Sequence, residues 1–217
     1  MVSAGHGYPR PVPAARTPYP TAAPFMPERL TMSALRKAVQ RCEGCPLHAN
    51  ATQAVFGEGL LSAEVMLVGE QPGDQEDLAG APFVGPAGRL LDRALDEAGI
   101  DRRTTYVTNA VKHFKWKPRG TRRIHDKPTW TEQLACRPWL EAELALVKPR
   151  ALVLLGATAA QSVLGKGFKV TQHRGELLDS ELAELVTATI HPSAVLRSDD
   201  REELFRGLVA DLRVVAA

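Results

Sequence analysis

Four short apolar runs, separated by helical patterns, are the feature that most constrains how this chain folds. The runs span residues 64–69 (EVMLVG), 106–111, 151–155 (ALVLL) and 185–190, and each has the length and composition of a buried strand. Strands that alternate with helices pair in parallel, with helices packed on both faces of the sheet. The sequence therefore predicts an α/β fold with a mostly parallel central sheet.

Amphipathic patterns predict helices at residues 30–41, 86–98, 131–147, 157–164 and about 201–214. We expect Ser33 to cap the first of these helices, because its hydroxyl can accept a hydrogen bond from the following turn. Gly99 and Gly165 follow the second and fourth helices and are typical of helix ends.

Three loops leave the carboxyl ends of predicted strands, and they begin after Gly69, Asn109 and Ile190. Ligands of parallel α/β sheets bind at this end of the strands. We therefore expect the three loops to converge on a functional site.

The N-terminal segment differs in composition from the rest of the chain. Residues 1–30 hold seven of the 16 prolines, spaced irregularly among small residues. Such a segment buries too little apolar surface to offset the entropy lost on ordering it. The sequence predicts a disordered tail over residues 1–30 and a single domain over residues 31–217.

Residues 112–127 (KHFKWKPRGTRRIHDK) form a strongly basic segment. Seven of these sixteen residues are Lys or Arg and one is acidic, whereas the whole chain has a net charge of only +2. Pro118 and Gly120 interrupt regular structure, so we interpret the segment as a long loop. A local excess of positive charge is typical of a site for an anionic partner.

Several function classes are disfavoured by missing patterns. No apolar run reaches the roughly 18 residues of a membrane span, and the N-terminus lacks the apolar core of a secretory signal. We expect a cytoplasmic monomer that does not bind membranes. No GxGxxG or GxxxxGK[ST] pattern follows a strand, and Ser193 lies outside a GxSxG elbow, which argues against nucleotide cofactors and hydrolase triads.

The three cysteines suggest a metal site. Cys42 and Cys45 have the CxxC spacing of a ligand pair, and Cys136 lies in the helix after the basic segment. His113, at the start of that segment, is the candidate for a fourth ligand. A Cys3His set suits either Zn²⁺ or an iron–sulfur cluster. The alternative is that the thiols are simply buried and bind nothing.

Polar and aromatic residues near the three loops are candidates for chemistry. Glu70 and Asp74 are carboxylates at a strand end, where acid–base and orienting groups are found. The Asn109 amide offers a donor beside an acceptor, which matches the O4 and N3–H edge of uracil or thymine. Phe83 is a candidate stacking platform, and His191 could donate a hydrogen bond to a developing anion. Each residue alone also fits a structural role, as a turn, a cap or a core side chain.

Six segments together resemble the uracil-DNA glycosylase superfamily. They are GEQPG (69–73), PFVGPAGRLLDRAL (82–95), TNAVKH (108–113), ACRPWL (135–140), LLGATAA (154–160) and HPSAVLR (191–197). The chain looks most similar to the family-four, iron–sulfur enzymes and, near them, to the X-type glycosylases. The X-type features are RRIH (122–125) in an enlarged loop and His113 where family-four enzymes have a cysteine.

The resemblance implies a three-layer α/β/α sandwich and a 4Fe–4S cluster. The cluster ligands would be Cys42, Cys45, His113 and Cys136, and the cluster would brace the DNA-binding loop. The partner would be uracil-containing DNA, with the base in a single strand or flipped out of a duplex.

The resemblance also implies how the base is recognised. Uracil would stack on Phe83 and be read by Asn109, with Gln71 and Asp74 as further contacts, and His191 would stabilise the uracil anion. The phosphates would be bound by Lys112, Arg122, Arg123 and Arg197, and Val195 or Leu196 would fill the space of the flipped base.

The X-type resemblance implies an unusual second step. His125 of the RRIH motif would attack C1′ of the sugar and give a stable covalent protein–DNA adduct, while Glu70 orients or deprotonates the ring. Gln71 stands where many relatives have an aspartate that positions water. Two alternatives stay open: a conventional family-four glycosylase that turns over, and a non-catalytic iron–sulfur module that binds DNA.

Overall fold

A six-stranded sheet forms the middle layer of the computed structural model, which describes residues 17–216. The strands are β1 (Glu58–Gly59), β2 (Val65–Gly69), β3 (Thr105–Asn109), β4 (Trp116–Arg119), β5 (Arg122–His125), β6 (Ala151–Leu155), β7 (Leu177–Leu178) and β8 (Leu185–Thr189). The sheet has the order β1-β3-β2-β6-β8-β7, while β4 and β5 form a separate hairpin. Its inner four strands are parallel, and the short edge strands β1 and β7 are antiparallel.

Helices cover both faces of the sheet. They are α1 (Met32–Val39), α2 (Asp74–Ala79), α3 (Pro86–Ala98), α4 (Trp130–Val147), α5 (Ala157–Leu164), α6 (Val170–His173), α7 (Pro192–Arg197) and α8 (Arg201–Arg213). Within the described part of the chain, no helix is long and apolar enough to cross a membrane.

The alternation of strand side chains divides the core between the two faces. Met66 and Val68 pack with residues of α4 and α5, whereas Leu67 packs with residues of α3, α7 and α8. The result is a three-layer α/β/α sandwich with a mostly parallel central sheet, and the predicted fold class is confirmed.

Most predicted elements are present, with small shifts at their ends. The helix α3 begins and ends where the sequence predicted, and Gly99 closes it in a left-handed conformation with φ of 82°. The predicted cap of α1 is wrong: the hydroxyl of Thr31, not Ser33, accepts a hydrogen bond from the Ala34 amide at 3.2 Å. The sequence did not predict α2, α6, α7 or the two edge strands of the sheet.

The predicted tail is shorter than expected. Ala22 is completely buried, and its amide donates to the Ala135 carbonyl at 2.7 Å. Tyr19, Phe25 and Met26 pack against a third buried cluster that also contains the three cysteines. The boundary at residue 30 is therefore wrong, because residues from 17 onward pack on the domain. Residues 1–16 of the predicted tail lie outside the described residues.

The basic segment is a β-hairpin and not a loop. Trp116 lies opposite His125, Arg119 lies opposite Arg122, and Gly120 in the turn has φ of 60°. The hairpin has only two strands, so both are edge strands. Pro118 is tolerated there because its missing amide hydrogen does not interrupt the hydrogen bonds of a central strand.

Candidate active site

Side chains from three strand ends meet at the carboxyl edge of the sheet, as the topology predicts. Glu70 follows β2, Asn109 ends β3, and His191 follows β8. Gly69 and Asn109 are direct partners in the β2–β3 register. The Phe83 ring stacks on the His191 ring, with centroids 6.2 Å apart and an angle of 25° between the planes.

Gly69, Phe83, Asn109 and His191 line what we call the Asn109 site. A Cβ atom at Gly69 would collide with the Asn109 Oδ1 atom and would lie 2.7 Å from the Phe83 ring, so a glycine is required for the amide and the ring to approach each other. Phe83 and Asn109 are 8% and 3% exposed. A rigid, nearly dry site with an aromatic face suits a planar ligand.

The Asn109 carboxamide has no hydrogen-bond partner within residues 17–216. Asn109 is only 3% exposed as a residue, yet its polar side-chain atoms stay accessible from the site, because among the described residues the buried side-chain atoms without a partner belong to Arg123 and Arg174. The donor and the acceptor of this amide are therefore both available to a ligand that offers a donor beside an acceptor.

Phe83 has an unusual backbone conformation, with φ of 58°. Gly88, in the first turn of α3, leaves room for the Phe83 carbonyl, because a Cβ atom there would collide with it. The buried Glu76 carboxylate accepts hydrogen bonds from the Gly85 amide at 2.7 Å and from the Gly73 amide at 3.1 Å. These contacts hold the turn that presents the ring.

The His191 ring is held in one tautomer. Its Nδ1 atom accepts the Ser193 amide hydrogen at 3.1 Å, so the proton of the neutral ring resides on Nε2. Burial lowers the pKa of His191 to about 4, against the opposing charge of Glu70. The ring is therefore neutral at physiological pH, with an Nε2–H group available as a donor.

His125 and Glu70 are in direct contact. His125 Nε2 lies 3.0 Å from Glu70 Oε1, and the Thr158 hydroxyl donates to the other carboxylate oxygen. Burial works to raise the Glu70 pKa, but the hydrogen bonds from His125 and Thr158 outweigh it and lower that pKa below its usual value. Glu70 is therefore an ionised acceptor that orients the His125 ring.

Gln71 fastens the base of the hairpin. Its amide nitrogen donates to the Lys115 and Asp126 carbonyls, both at 3.1 Å, and its oxygen accepts the Lys115 amide hydrogen at 3.0 Å. Both amide hydrogens of the side chain are thereby used. The contact between Gln71 and the base stays a prediction, and the observed role of its side chain is to hold the hairpin.

Arg123 fastens the other end of the hairpin. Its guanidinium contacts Asp74 Oδ1 and Asp77 Oδ2, each at 2.6 Å, and the Thr52 hydroxyl at 3.1 Å. Asp77 is completely buried, and both of its oxygens also accept the Thr52 amide hydrogen. Arg123 and Asp74 therefore position the hairpin in this structure, and their contacts with phosphate and uracil stay predictions.

The predicted DNA contacts divide into two groups. Lys112 is completely buried and paired with Glu143, so it cannot reach a phosphate. Arg122 and Arg197 are exposed, and their contact with DNA stays a prediction. Val195 is 1% exposed within the core, which leaves Leu196 as the predicted wedge.

The predicted metal ligands lie together in one buried cluster or at its edge. Cys42, Cys45, Cys136 and His113 are 7%, 7%, 4% and 6% exposed. Cys42 Sγ accepts the Trp139 indole hydrogen at 3.3 Å, and Cys136 Sγ accepts the Lys112 amide hydrogen at 3.2 Å. Donors of this kind are typical of the surroundings of metal-bound thiolates.

The chemistry of these side chains fits a bound metal centre. Burial raises the pKa of Cys45 to about 11 and raises that of Cys136 further, so free thiolates are unfavourable without a nearby cation. Burial also lowers the His113 pKa to about 4, and its ring has no hydrogen-bond partner among the described residues. In that part of the chain, no three Cys, His, Asp or Glu side chains converge on one point close enough for a single metal ion.

Three further residues at the site had no assigned role in the sequence analysis. Thr158 binds Glu70, Ser193 fixes the His191 tautomer, and Glu76 holds the Phe83 turn. Thr158 and Ser193 lie within the LLGATAA and HPSAVLR segments, so their membership of these motifs could have indicated a role at the site. Glu76 had no such signal beyond its neighbouring acidic residues.

Comparison with known proteins agrees with the fold. The model of the uracil DNA glycosylase superfamily matches residues 56–213. A type-4 uracil-DNA glycosylase from Thermotoga maritima is 41% identical over 172 residues, which cover 79% of this chain and 86% of that protein. A type-4 uracil-DNA glycosylase from Pyrobaculum aerophilum is 35% identical over 175 residues, covering 77% and 86%.

A type-5 uracil-DNA glycosylase from Pyrobaculum aerophilum is 33% identical over 153 residues, which cover 62% of this chain and 63% of that protein. The family model spans the whole six-stranded sheet, including all three strand ends that meet at the Asn109 site. The chain therefore belongs to the uracil-DNA glycosylase superfamily.

Proposed function

We propose that this protein excises uracil from DNA and then retains the sugar as a covalent adduct on His125. Superfamily membership supports the excision. The observation that supports the capture is the 3.0 Å contact between His125 Nε2 and Glu70 Oε1 at the edge of the Asn109 site. A histidine held by a carboxylate beside the leaving-group site has the arrangement of an activated nucleophile.

Recognition of uracil follows from the unpaired Asn109 amide. The Asn109 amide accepts a hydrogen bond from N3–H of uracil and donates one to its O4, while the uracil ring stacks on the Phe83 ring. Cytosine presents a donor in place of O4, so the Asn109 amide would be left mispaired. Thymine has the same hydrogen-bonding edge as uracil, and its methyl group must be excluded by the shape of the site.

His191 stabilises the departing base. Cleavage of the bond between C1′ and N1 leaves negative charge on uracil, and the neutral His191 ring offers its Nε2–H to that charge. A preorganised donor of this kind contributes ~3 kcal/mol to a transition state. Because the ring is already neutral and held by Ser193, no reorganisation is needed during the reaction.

The capture step is balanced within the site. The lone pair of the unprotonated His125 nitrogen forms a bond to C1′ as the electrons of the C1′–N1 bond leave with uracil. The imidazolium that results loses its proton to the Glu70 carboxylate. Gln71 offers no base for water, and its amide is engaged with the hairpin backbone. Both features favour histidine over water as the nucleophile.

Cys42, Cys45, His113 and Cys136 would hold a 4Fe–4S cluster. Such a cluster, when bound, would brace the chain structurally. Cys42 and Cys45 follow α1, His113 lies at the start of the basic segment and Cys136 lies in α4, so the ligands would tie the base of the hairpin to the body of the protein.

A denaturing gel tests the proposal. We incubate the protein with uracil-containing single-stranded DNA and expect a slower band that survives heat and detergent. His125→Ala is expected to abolish this band and still release uracil, with Lys127→Ala, an exposed residue of the same segment, as the matched control. Abasic product without a shifted band for the wild-type protein would exclude the capture.

The second candidate is a glycosylase that turns over, and the 41% identity to a type-4 enzyme favours it. It predicts that one protein molecule releases many uracils, whereas capture limits release to one uracil per molecule. Release that continues beyond one equivalent would support this candidate. A non-catalytic DNA-binding module would release none, and Asn109→Ala would then leave its DNA binding unchanged.

A further inference from the structure

Lys112 and Glu143 form a completely buried ion pair that the proposed reaction does not use. Glu143 lies on α4, and Lys112 follows Asn109 by three residues. A buried ion pair usually stabilises a fold no better than apolar residues of the same volume would. The contacts of this pair therefore need an explanation other than stability.

Glu143 is a saturated acceptor. Its Oε1 atom accepts hydrogen bonds from the Gly57 amide and the Tyr106 hydroxyl, both at 3.0 Å, and from the Thr108 hydroxyl at 2.9 Å. Its Oε2 atom binds the Lys112 ammonium and also contacts the Thr108 hydroxyl at 3.1 Å. The carboxylate thus needs Lys112 as the partner of one oxygen.

The Lys112 ammonium has three donors, and all three are used. One goes to Glu143, one to the Thr108 hydroxyl at 2.7 Å, and one to the Asn109 backbone carbonyl at 2.7 Å. The third contact is the informative one, because it holds the peptide of the residue whose side chain is unpaired in the Asn109 site.

We propose that Lys112 is a positioning residue for uracil recognition, and that its ammonium, neutralised by Glu143, fixes the Asn109 peptide and thereby aims the Asn109 carboxamide at the base. The inference rests on the proposed function. The Lys112 amide also donates to Cys136 Sγ at 3.2 Å, so the same residue connects the base-reading strand to the predicted cluster ligands.

Two variants separate positioning from stability. In Lys112→Met/Glu143→Gln, the Gln Oε1 atom keeps the hydrogen bonds from Gly57 and Tyr106, and its amide nitrogen donates to the Thr108 hydroxyl. No buried charge remains, and the only hydrogen bond to the site that is lost is the one to the Asn109 carbonyl. In Glu143→Gln alone, that contact is kept, but the buried ammonium has lost its counter-charge.

The two variants should rank in opposite order for stability and for activity. We expect Glu143→Gln to have the lower melting temperature and to excise uracil at close to the wild-type rate, measured in single turnover below the transitions of both proteins. The double variant should melt higher and excise on the order of 10- to 100-fold more slowly, as expected for a misplaced binding group. Both should bind uracil-free DNA of the same sequence equally well.

Two results would overturn the inference. One is a folded double variant that excises uracil at the wild-type rate. The other concerns the double substitution in an Asn109→Ala background. If it lowers the excision rate there by the same factor as in the wild-type protein, its effect does not act through Asn109. A different result, wild-type protein that releases no uracil or Asn109→Ala protein with the wild-type rate, would overturn the proposed recognition itself and this inference with it.

Discussion

The Asn109 site and the hairpin that carries His125 are built by different means, although they meet at Glu70. The Asn109 site is fixed by strand register and tight packing around Gly69, and its Phe83 and Asn109 side chains are nearly buried. The hairpin has two mostly exposed strands, and polar clamps from Gln71 and Arg123 hold it to the domain. The geometry of the base therefore follows from the core, whereas the geometry of the nucleophile depends on a few polar contacts. The two can be broken separately.

The largest loss is expected from Gly69→Ala, which breaks the Asn109 site and, through it, the capture. The added methyl group would displace the Asn109 amide and the Phe83 ring, so uracil release should fall by about 100-fold or more. The adduct should fall equally, because His125 attacks only as the base leaves. Gly167→Ala is the matched control, since a Cβ atom there meets open space. Folded Gly69→Ala protein with near wild-type release would contradict this picture of the site.

A smaller and more selective loss is expected from Asp77→Asn, which weakens only the hairpin. A hydrogen bond to a charged group contributes about 2 kcal/mol, so the equilibrium constant for docking of the hairpin should fall about 30-fold. On a denaturing gel, adduct formed per uracil released should decrease while release itself changes little. Asp74→Asn should have a weaker effect, because its side chain is 48% exposed whereas that of Asp77 is buried. Parallel losses of adduct and release would mean that the two regions are not independent.

The pH dependence of folding stability tests how completely the His191 ring is shielded from water in the Asn109 site. Burial lowers the pKa of His191 to about 4 from an ordinary value of 6.5. Between these values the unfolded chain binds a proton that the folded protein excludes, so stability should decrease as pH falls from about 6.5 towards 4. The shift corresponds to at most about 3 kcal/mol. Urea unfolding at several pH values should show a shallower decrease for His191→Gln, and identical slopes would indicate a solvated ring.

The smallest effect is expected from Arg122→Ala, on the exposed outer part of the hairpin. Loss of one phosphate contact should weaken DNA binding a few-fold and reduce the salt dependence of the binding constant by about one ion. Release and capture within the bound complex should be unchanged. Arg103→Ala is the control, because Arg103 lies before β3, at the opposite edge of the sheet. Equal salt dependence for Arg122→Ala and the wild-type protein would mean that Arg122 does not contact a DNA phosphate.

The sheet could be predicted from the sequence because its strands are buried on both faces. All five residues of β6 are apolar and buried, and so short a run followed directly by Gly156 indicates a buried strand more than a helix. The hairpin strands could not be predicted in this way. Ile124 is 36% exposed and is flanked by charged or polar residues, and the pairing depends on contacts with α2 that no local pattern encodes.

Lys112 and Gln71 have polar partners that the sequence did not indicate, for one physical reason. Lys112 was predicted to bind phosphate because a lysine in a basic segment is usually solvated, yet its partner Glu143 lies 31 residues away on α4. Gln71 was predicted to contact the base, but its partners Lys115 and Asp126 are 44 and 55 residues away. Long-range polar pairs are chosen by the assembled fold and leave little trace in local composition.

The clamp made by Gln71 has a consequence for engineering. Gln71 binds main-chain atoms of Lys115 and Asp126 and no side chain of the hairpin. Most side chains between those two positions can therefore be exchanged without losing this attachment, as long as Arg123 is kept for the second clamp. The side chains of the hairpin can in that sense be redesigned, including its nucleophile and its charge, without changing the residues of the Asn109 site.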